Sequence, residues 1–304
     1  MVSSFMKTLS IYFWLIVAML LWGSSWPLAA SLSEFIDEHE FIVYRYLSTA
    51  ICLIPVMVWL KIPFRIDRYN LMIAILSGVL MVFYTENYFL STTLGTPGLA
   101  GAIVTTLIPI TIFVLSSILT RKLISFKQWI ALTLSSIGVM TTMNIWSYDS
   151  SEIFIQNNHY MILAALIWSS MSILSSYSKE VDAITLSFYI YIFTTLFDLL
   201  FYYEPTHGSV FQMSGEFWLY LILITIGAST FGTTMFFYCV KHIGVKETST
   251  FNFLVPFFAM GLSFIFLGEE IGLASILGVM ITIYGIKTLN NLKFSSLFID
   301  KVSK

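Results

Sequence analysis

Charge is what this sequence has least of. Only 11% of its 304 residues are Asp, Glu, Lys or Arg, against roughly a quarter in soluble domains, while 58% are apolar. A water-facing surface cannot be built from that composition, so the chain reads as a membrane protein. Cysteine is also scarce: Cys52 and Cys239 form no CxxC and lack the Cys/His spacing of a metal site. No cofactor is therefore expected, and both thiols should be free. The four histidines are scattered and supply no cluster of the kind a polytopic membrane enzyme needs. No ring of like charge or polar filter run suggests a channel. A net charge of −2, with basic residues spread over loops, gives no reason to expect a nucleic-acid partner.

What fills the chain instead is apolar runs long enough to cross a bilayer, about 20 residues each. Ten can be marked off, at roughly 11–30, 40–60, 71–91, 97–119, 126–146, 159–178, 183–203, 217–240, 247–267 and 271–291. The first has Lys7 ahead of it and could pass for a signal peptide, but it is too long and has Trp26-Pro27 where a cleavage site should be. It is read as a retained span.

Orientation follows from Lys and Arg, which short loops keep on the cytoplasmic side. With the N-terminus inside, fourteen of the fifteen basic residues fall in cytoplasmic segments, and the outer loops carry Glu34, Asp37, Glu38, Glu40, Asp149, Glu152, Glu204, Glu216, Glu269 and Glu270. Both termini are then cytoplasmic. The lipid bilayer is the surrounding partner, and oligomeric state is not readable.

One stretch occurs twice. Leu94 to Ile124 and Ile243 to Gly272 each open with an apolar residue and Gly, pass small and hydroxyl residues to a central proline (Pro109, Pro256), and end in a charged pair. The pair is Arg121-Lys122 in the first copy and Glu269-Glu270 in the second, as expected of one unit placed in two opposite orientations. Trp22-Gly23-Ser24-Ser25 likewise aligns with Trp168-Ser169-Ser170-Met171, and Glu34 with Glu180. Five spans per half, an odd number, invert the second half relative to the first. The expected organisation is a first repeat at 11–146, an outer linker at 147–158, a second repeat at 159–291 and a cytoplasmic tail at 292–304.

These residues resemble the drug/metabolite transporter superfamily and, within it, the EamA family. The first span ends in a WGS-type motif (Trp22-Gly23-Ser24), Arg45 stands early in the second span, and Leu267-Gly268-Glu269-Glu270 follows the Pro-centred ninth. The first repeat departs from the pattern, with Thr120-Arg121-Lys122 in place of the Gly-Glu turn. The resemblance implies ten transmembrane helices as two five-helix repeats, and a secondary transporter whose central cavity is lined mainly by spans 1, 3, 4, 6, 8 and 9.

Ionisable side chains inside spans are expensive, roughly 2.5–3.5 kcal/mol at the bilayer centre, and so are the first functional candidates. Arg45, Glu86 and Asp198 all fall in the outer third of their spans. Glu86 or Asp198 could carry a proton or a cationic group and Arg45 a carboxylate, or Arg45 and an acid could simply tie helices together. Helical spacing puts Tyr84, Asn87 and Tyr88 on one face and Glu86 about 200° round from Tyr84. Either the tyrosines meet substrate while Glu86 turns toward Arg45, or the acid faces the cavity.

Trp22 and Trp168 occupy equivalent positions near mid-membrane, with Trp26 one turn above Trp22. They could stack on an apolar or cationic ligand, or only pack. Pro109 and Pro256 should break their helices and free the carbonyls of Thr105 and Asn252, setting a polar side chain and an open acceptor together. Gly95, Gly98 and Gly101 suit close helix approach; His207 and His242 lie in loops and receive no role.

The expected function is transport of a small amphiphilic molecule, such as an amino acid or related zwitterion, across the inner membrane by alternating access. Export is favoured by the resemblance and proton coupling is possible. The alternative within transport is a carrier of quaternary-ammonium or aromatic cations.

Overall fold

The computed structural model describes residues 2–94, 97–147, 158–205, 210–267 and 272–290. Gly95, His207, most of the 147–158 linker, Glu269-Glu270 with Gly268, and the 292–304 tail lie outside the described residues. All regular structure among the described residues is helical. The helices are α1 (Val2–Leu32), α2 (Glu38–Leu60), α3 (Arg68–Thr93), α4 (Pro97–Thr120), α5 (Phe126–Thr142), α6 (Asn158–Ser176), α7 (Ala183–Phe201), α8 (Gly215–Ile243), α9 (245–267) and α10 (Leu273–Leu289).

Local chemistry sets several starts. Asp37 accepts from the backbone N–H groups of His39 and Glu40 to cap α2, Asp182 caps α7 through Ile184, and Ser125 with Gln128 forms a reciprocal capping box on α5. Asp67 caps α3, and hydrogen bonds led by the Asn70 side chain hold its carboxyl below the usual range.

Seven helices (α1 from Ile11, α2, α3, α4, α6, α7 and α8) are long and apolar enough to cross a membrane. Their outward faces carry Val58, Trp59, Met72, Leu200 and Phe201, all more than half exposed, which only a lipid environment would cover. Several buried hydroxyls on the inward faces are satisfied within their own helices, as when Thr49 donates to the Arg45 carbonyl and Ser172 to that of Trp168. α5 and α10 are shorter, at 17 residues each, and α9 is interrupted.

The packing has an exchange relation. If α1–α5 are replaced by α6–α10 in order, α1 against α8 becomes α6 against α3, α1 against α9 becomes α6 against α4, and α2 against α8 becomes α7 against α3; all six are present. The pairs α2–α7, α4–α9 and α5–α10 map onto themselves and are also present. On the relation's axis, Tyr46 of α2 stacks on Tyr191 of α7 with ring centres 5.4 Å apart and planes at 13°. The two rings occupy matching places in Tyr44-Arg45-Tyr46 and Tyr189-Ile190-Tyr191.

The α5–α10 contact is backbone to backbone. A Cβ on Gly278 would lie 2.4 Å from the Thr142 nitrogen and 2.5 Å from the Gly138 carbonyl oxygen, so only glycine fits there. Ser275 donates across the seam to the Thr142 carbonyl at 2.9 Å.

The two prolines do not behave alike. α4 runs as an uninterrupted helix through Pro109, so the break expected there does not form. A proline removes a single backbone bond, and α4 packs on α6 at this point, where Ser169 Oγ approaches the Ile108 carbonyl at 3.3 Å. α9 does break: a 3-10 turn, Phe251–Leu254, immediately precedes the helical run that contains Pro256.

Candidate functional site

An aromatic cluster fills the space between the halves. Trp22 and Trp168 meet edge to face with ring centres 5.0 Å apart, and Phe236 of α8 lies 5.1 Å from the first and 5.5 Å from the second. Tyr84 packs 4.7 Å from Trp168, Tyr88 lies 5.9 Å from Tyr84, and Trp26 closes the row 4.6 Å from Tyr88. The face of α3 that carries Tyr84 and Tyr88 thus turns to the cluster. Asn87 is nearly buried, and its amide donates to the Phe83 carbonyl one turn back at 2.8 Å.

The irregular middle of α8 shapes the wall opposite α3. Over Ile224–Thr233 the helix widens into a π form, which turns carbonyls out of the regular ladder. Neighbouring helices supply the missing donors: Trp22 Nε1 donates to the Ala228 carbonyl at 3.1 Å, and the Tyr191 hydroxyl to that of Ser229 at 3.1 Å. Gly232 permits the approach of Trp22, since a Cβ there would stand 2.9 Å from the indole nitrogen.

Arg45 reaches this wall. Its Nε donates to Ser229 Oγ at 2.6 Å, and its guanidinium carbon lies 5.4, 5.3 and 5.7 Å from the ring centres of Phe41, Tyr46 and Tyr88. The residue is 5% exposed, and its Nη1 has no acceptor. No carboxylate pairs with it among the described residues, so the Arg45–acid pair weighed from the sequence is not formed. The cation sits in an aromatic box because α2 packs against both α7 and α8 and points its guanidinium into the half-to-half contact.

Other buried side-chain polar atoms are also unpartnered, among them Trp168 Nε1, both polar atoms of Asn252, and the hydroxyls of Thr106 and Thr234. Such atoms are uncommon in folded proteins and each calls for an explanation. Thr105, in contrast, is satisfied: its hydroxyl donates to the Gly101 carbonyl at 2.6 Å.

Glu86 and Asp198 belong to a different assembly. His39 Nδ1 lies 2.9 Å from Asp198 Oδ1, and the His39 ring stacks on Tyr202 with centres 5.3 Å apart. Glu86 is close enough to interact electrostatically with His39, Glu38 and Asp198, and it forms no ion pair with Arg45 among the described residues. It therefore takes neither of the positions weighed for it, because the C-terminal part of α7 brings Asp198 and the start of α2 brings His39 to its side. His39 was not singled out in the sequence; its one signal was a position at the very start of α2, at the same end of the bundle as Asp198.

The profile of the EamA-like transporter family matches residues 9–144 and again 158–290. The chain belongs to the EamA-like transporter family. A solved structure described only as a crystal structure of a protein shares the fold, with a TM-score of 0.74 at 16% identity over 97% of this chain and 99% of that one. No curated protein sequence matches it.

In this EamA-like transporter the end of the bundle opposite His39 is open. The C-terminal ends of α4, α6 and α8 and the start of α9 enclose a cavity of about 440 Å³. It begins at Ile173 and Ser176, five and eight residues beyond Trp168 on α6, or roughly 8–12 Å along the helix from the aromatic cluster. Lys246 and Glu247, which carried no functional reading in the sequence, line it.

Proposed function

We propose that the protein is a secondary transporter of small zwitterions of the amino-acid type, working by alternating access between two inverted five-helix halves of a ten-span plasma-membrane protein. The observation that carries this reading is Arg45: a buried guanidinium with an unpaired Nη1, held by Ser229 and three aromatic rings at the contact between halves. A carboxylate is the natural partner of such a group, because a planar guanidinium offers it two parallel donors. Trp168 Nε1 and the Asn252 amide are further unpartnered buried polar groups in the bundle, and the aromatic rings suit an apolar side chain.

With both termini cytoplasmic, as the Lys and Arg distribution suggests, the cavity lies at the cytoplasmic end of the bundle, where a ligand would load from the cytoplasm, consistent with export. A carrier of organic cations is less well supported, since the aromatic box already holds a cation and Glu86 lies against His39 and Asp198 instead.

The test is flux of labelled L-amino acids and of tetraalkylammonium ions in liposomes containing the purified full chain. Amino-acid flux is expected, and Arg45→Gln should reduce it at least about thirtyfold, the loss of one buried charged contact of 2 kcal/mol or more. Flux confined to the organic cations, or an Arg45→Gln variant as active as the parent, would overturn the reading.

A further inference from the structure

The cavity at the open end carries an unusual charge arrangement. Lys246 and Glu247 are consecutive residues at the start of α9, and both line it together with Ser116 and Thr120 of α4 and Ser176 and Tyr177 at the end of α6. Neighbouring opposite charges at a protein surface commonly neutralise each other, but these two do not pair. Lys246 Nζ lies 5.1 Å from the centre of the Phe113 ring and makes no ion pair. Glu247 is held separately, accepting a hydrogen bond from the Tyr12 hydroxyl of α1. Successive helix positions differ by 100° in direction, so the two charges are splayed round the cavity and not stacked on one line.

We infer that this cavity is a second binding site, a vestibular site for an α-amino-acid zwitterion, in which Lys246 takes the carboxylate and Glu247 the ammonium. The inference rests on the zwitterion reading of the central site and deepens it. The volume lies at the small end of ligand pockets; the Ser116 hydroxyl lacks a partner, and those of Thr120 and Ser176, which donate to their own helix carbonyls, keep lone pairs to accept from a polar ligand. Burial and the nearby Lys122 ammonium lower the Lys246 pKa below the usual lysine value, a penalty that an arriving carboxylate would relieve. Trp168 lies five residues before Ile173 of the cavity wall on α6 and packs on Phe236, so the aromatic cluster is the next part of the bundle along that helix.

The two carriers of charge make the site separable from the central one. Purified full-length protein is titrated calorimetrically with the standard L-amino acids, and the tightest binder is then compared with its amide and its N-acetyl derivative. Lys246→Met should weaken the free amino acid about tenfold while leaving the amide, which has no carboxylate to lose, unchanged. Glu247→Gln, which can still accept from Tyr12, should weaken the free amino acid similarly and leave the N-acetyl derivative unchanged. Arg45→Gln should cut flux at least about thirtyfold yet keep this binding. If both vestibular variants bind and transport as the parent does while Arg45→Gln is inactive, the vestibular site is overturned and the central reading stands. If Arg45→Gln removes all binding, there is a single site and the inference also fails. If no amino acid binds or moves, both readings fall.

Discussion

His39 Nδ1 and Asp198 Oδ1 stand 2.9 Å apart and join α2 to α7 at the end of the bundle opposite the cavity. Asp198 is fully buried and its second oxygen has no partner, so the imidazole is the main compensation for that charge. His39→Ala should cost about 3 kcal/mol, the penalty for stranding a buried carboxylate, whereas Asp198→Asn, which leaves a neutral amide, should cost less. Thermal unfolding of the two variants in one detergent checks the order; equal losses would mean the ion pair is not what holds this end.

The same substitution should act differently at the two matched tryptophans. Trp22 Nε1 donates to Ala228, while Trp168 Nε1 donates to nothing. Trp22→Phe should therefore lose about 1 kcal/mol more stability than Trp168→Phe, and Trp168→Phe should show its effect in substrate affinity. Parallel melting curves and flux measurements separate the two.

Asn252 is 0% exposed with both side-chain polar atoms unpartnered. Replacing an unsatisfied buried amide by an apolar side chain of similar size removes a desolvation penalty, so Asn252→Leu should stabilise the ligand-free protein by about 1 kcal/mol and slow transport. A variant that is both less stable and fully active would show that Asn252 is satisfied in the working protein.

Glycine substitutions should divide by what a Cβ meets. Gly278→Ala drives a methyl into the α5 backbone and should cost at least about 2 kcal/mol. Gly98→Ala meets only the Met143 side chain at 3.6 Å and should be neutral or stabilising, since alanine favours helix by up to about 1 kcal/mol. Denaturation midpoints would reveal any reversal of that order.

What the sequence could show depended on whether one helix or several decide the outcome. The ends of α2, α3, α4 and α7 lie within three residues of the apolar runs that announced them, and the shared face of Tyr84 and Tyr88 follows from 3.6-residue periodicity alone. Glu86 is different: its neighbour depends on which helix packs beside α3, and only the assembled bundle places His39 there. The aromatic box of Arg45 is likewise drawn from α2 and α3, with Ser229 from the π segment of α8. Two prolines in matched sequence positions looked equivalent, yet one helix carries its proline through and the other turns 3-10 before it. No local pattern in the sequence distinguishes the two.

The glycine seam between α5 and α10 has a mechanical consequence. Two helices in backbone contact through Gly138, Gly278 and Gly285 have no side-chain layer to slide on. A shift along the seam by one residue would drive a bulkier neighbour into the opposing main chain. The seam maps onto itself under exchange of the halves, so in the proposed alternating-access cycle it would serve as the fulcrum: rotation about it would widen one mouth of the bundle only as it narrows the other, and a leak through both at once would require the fulcrum itself to give way.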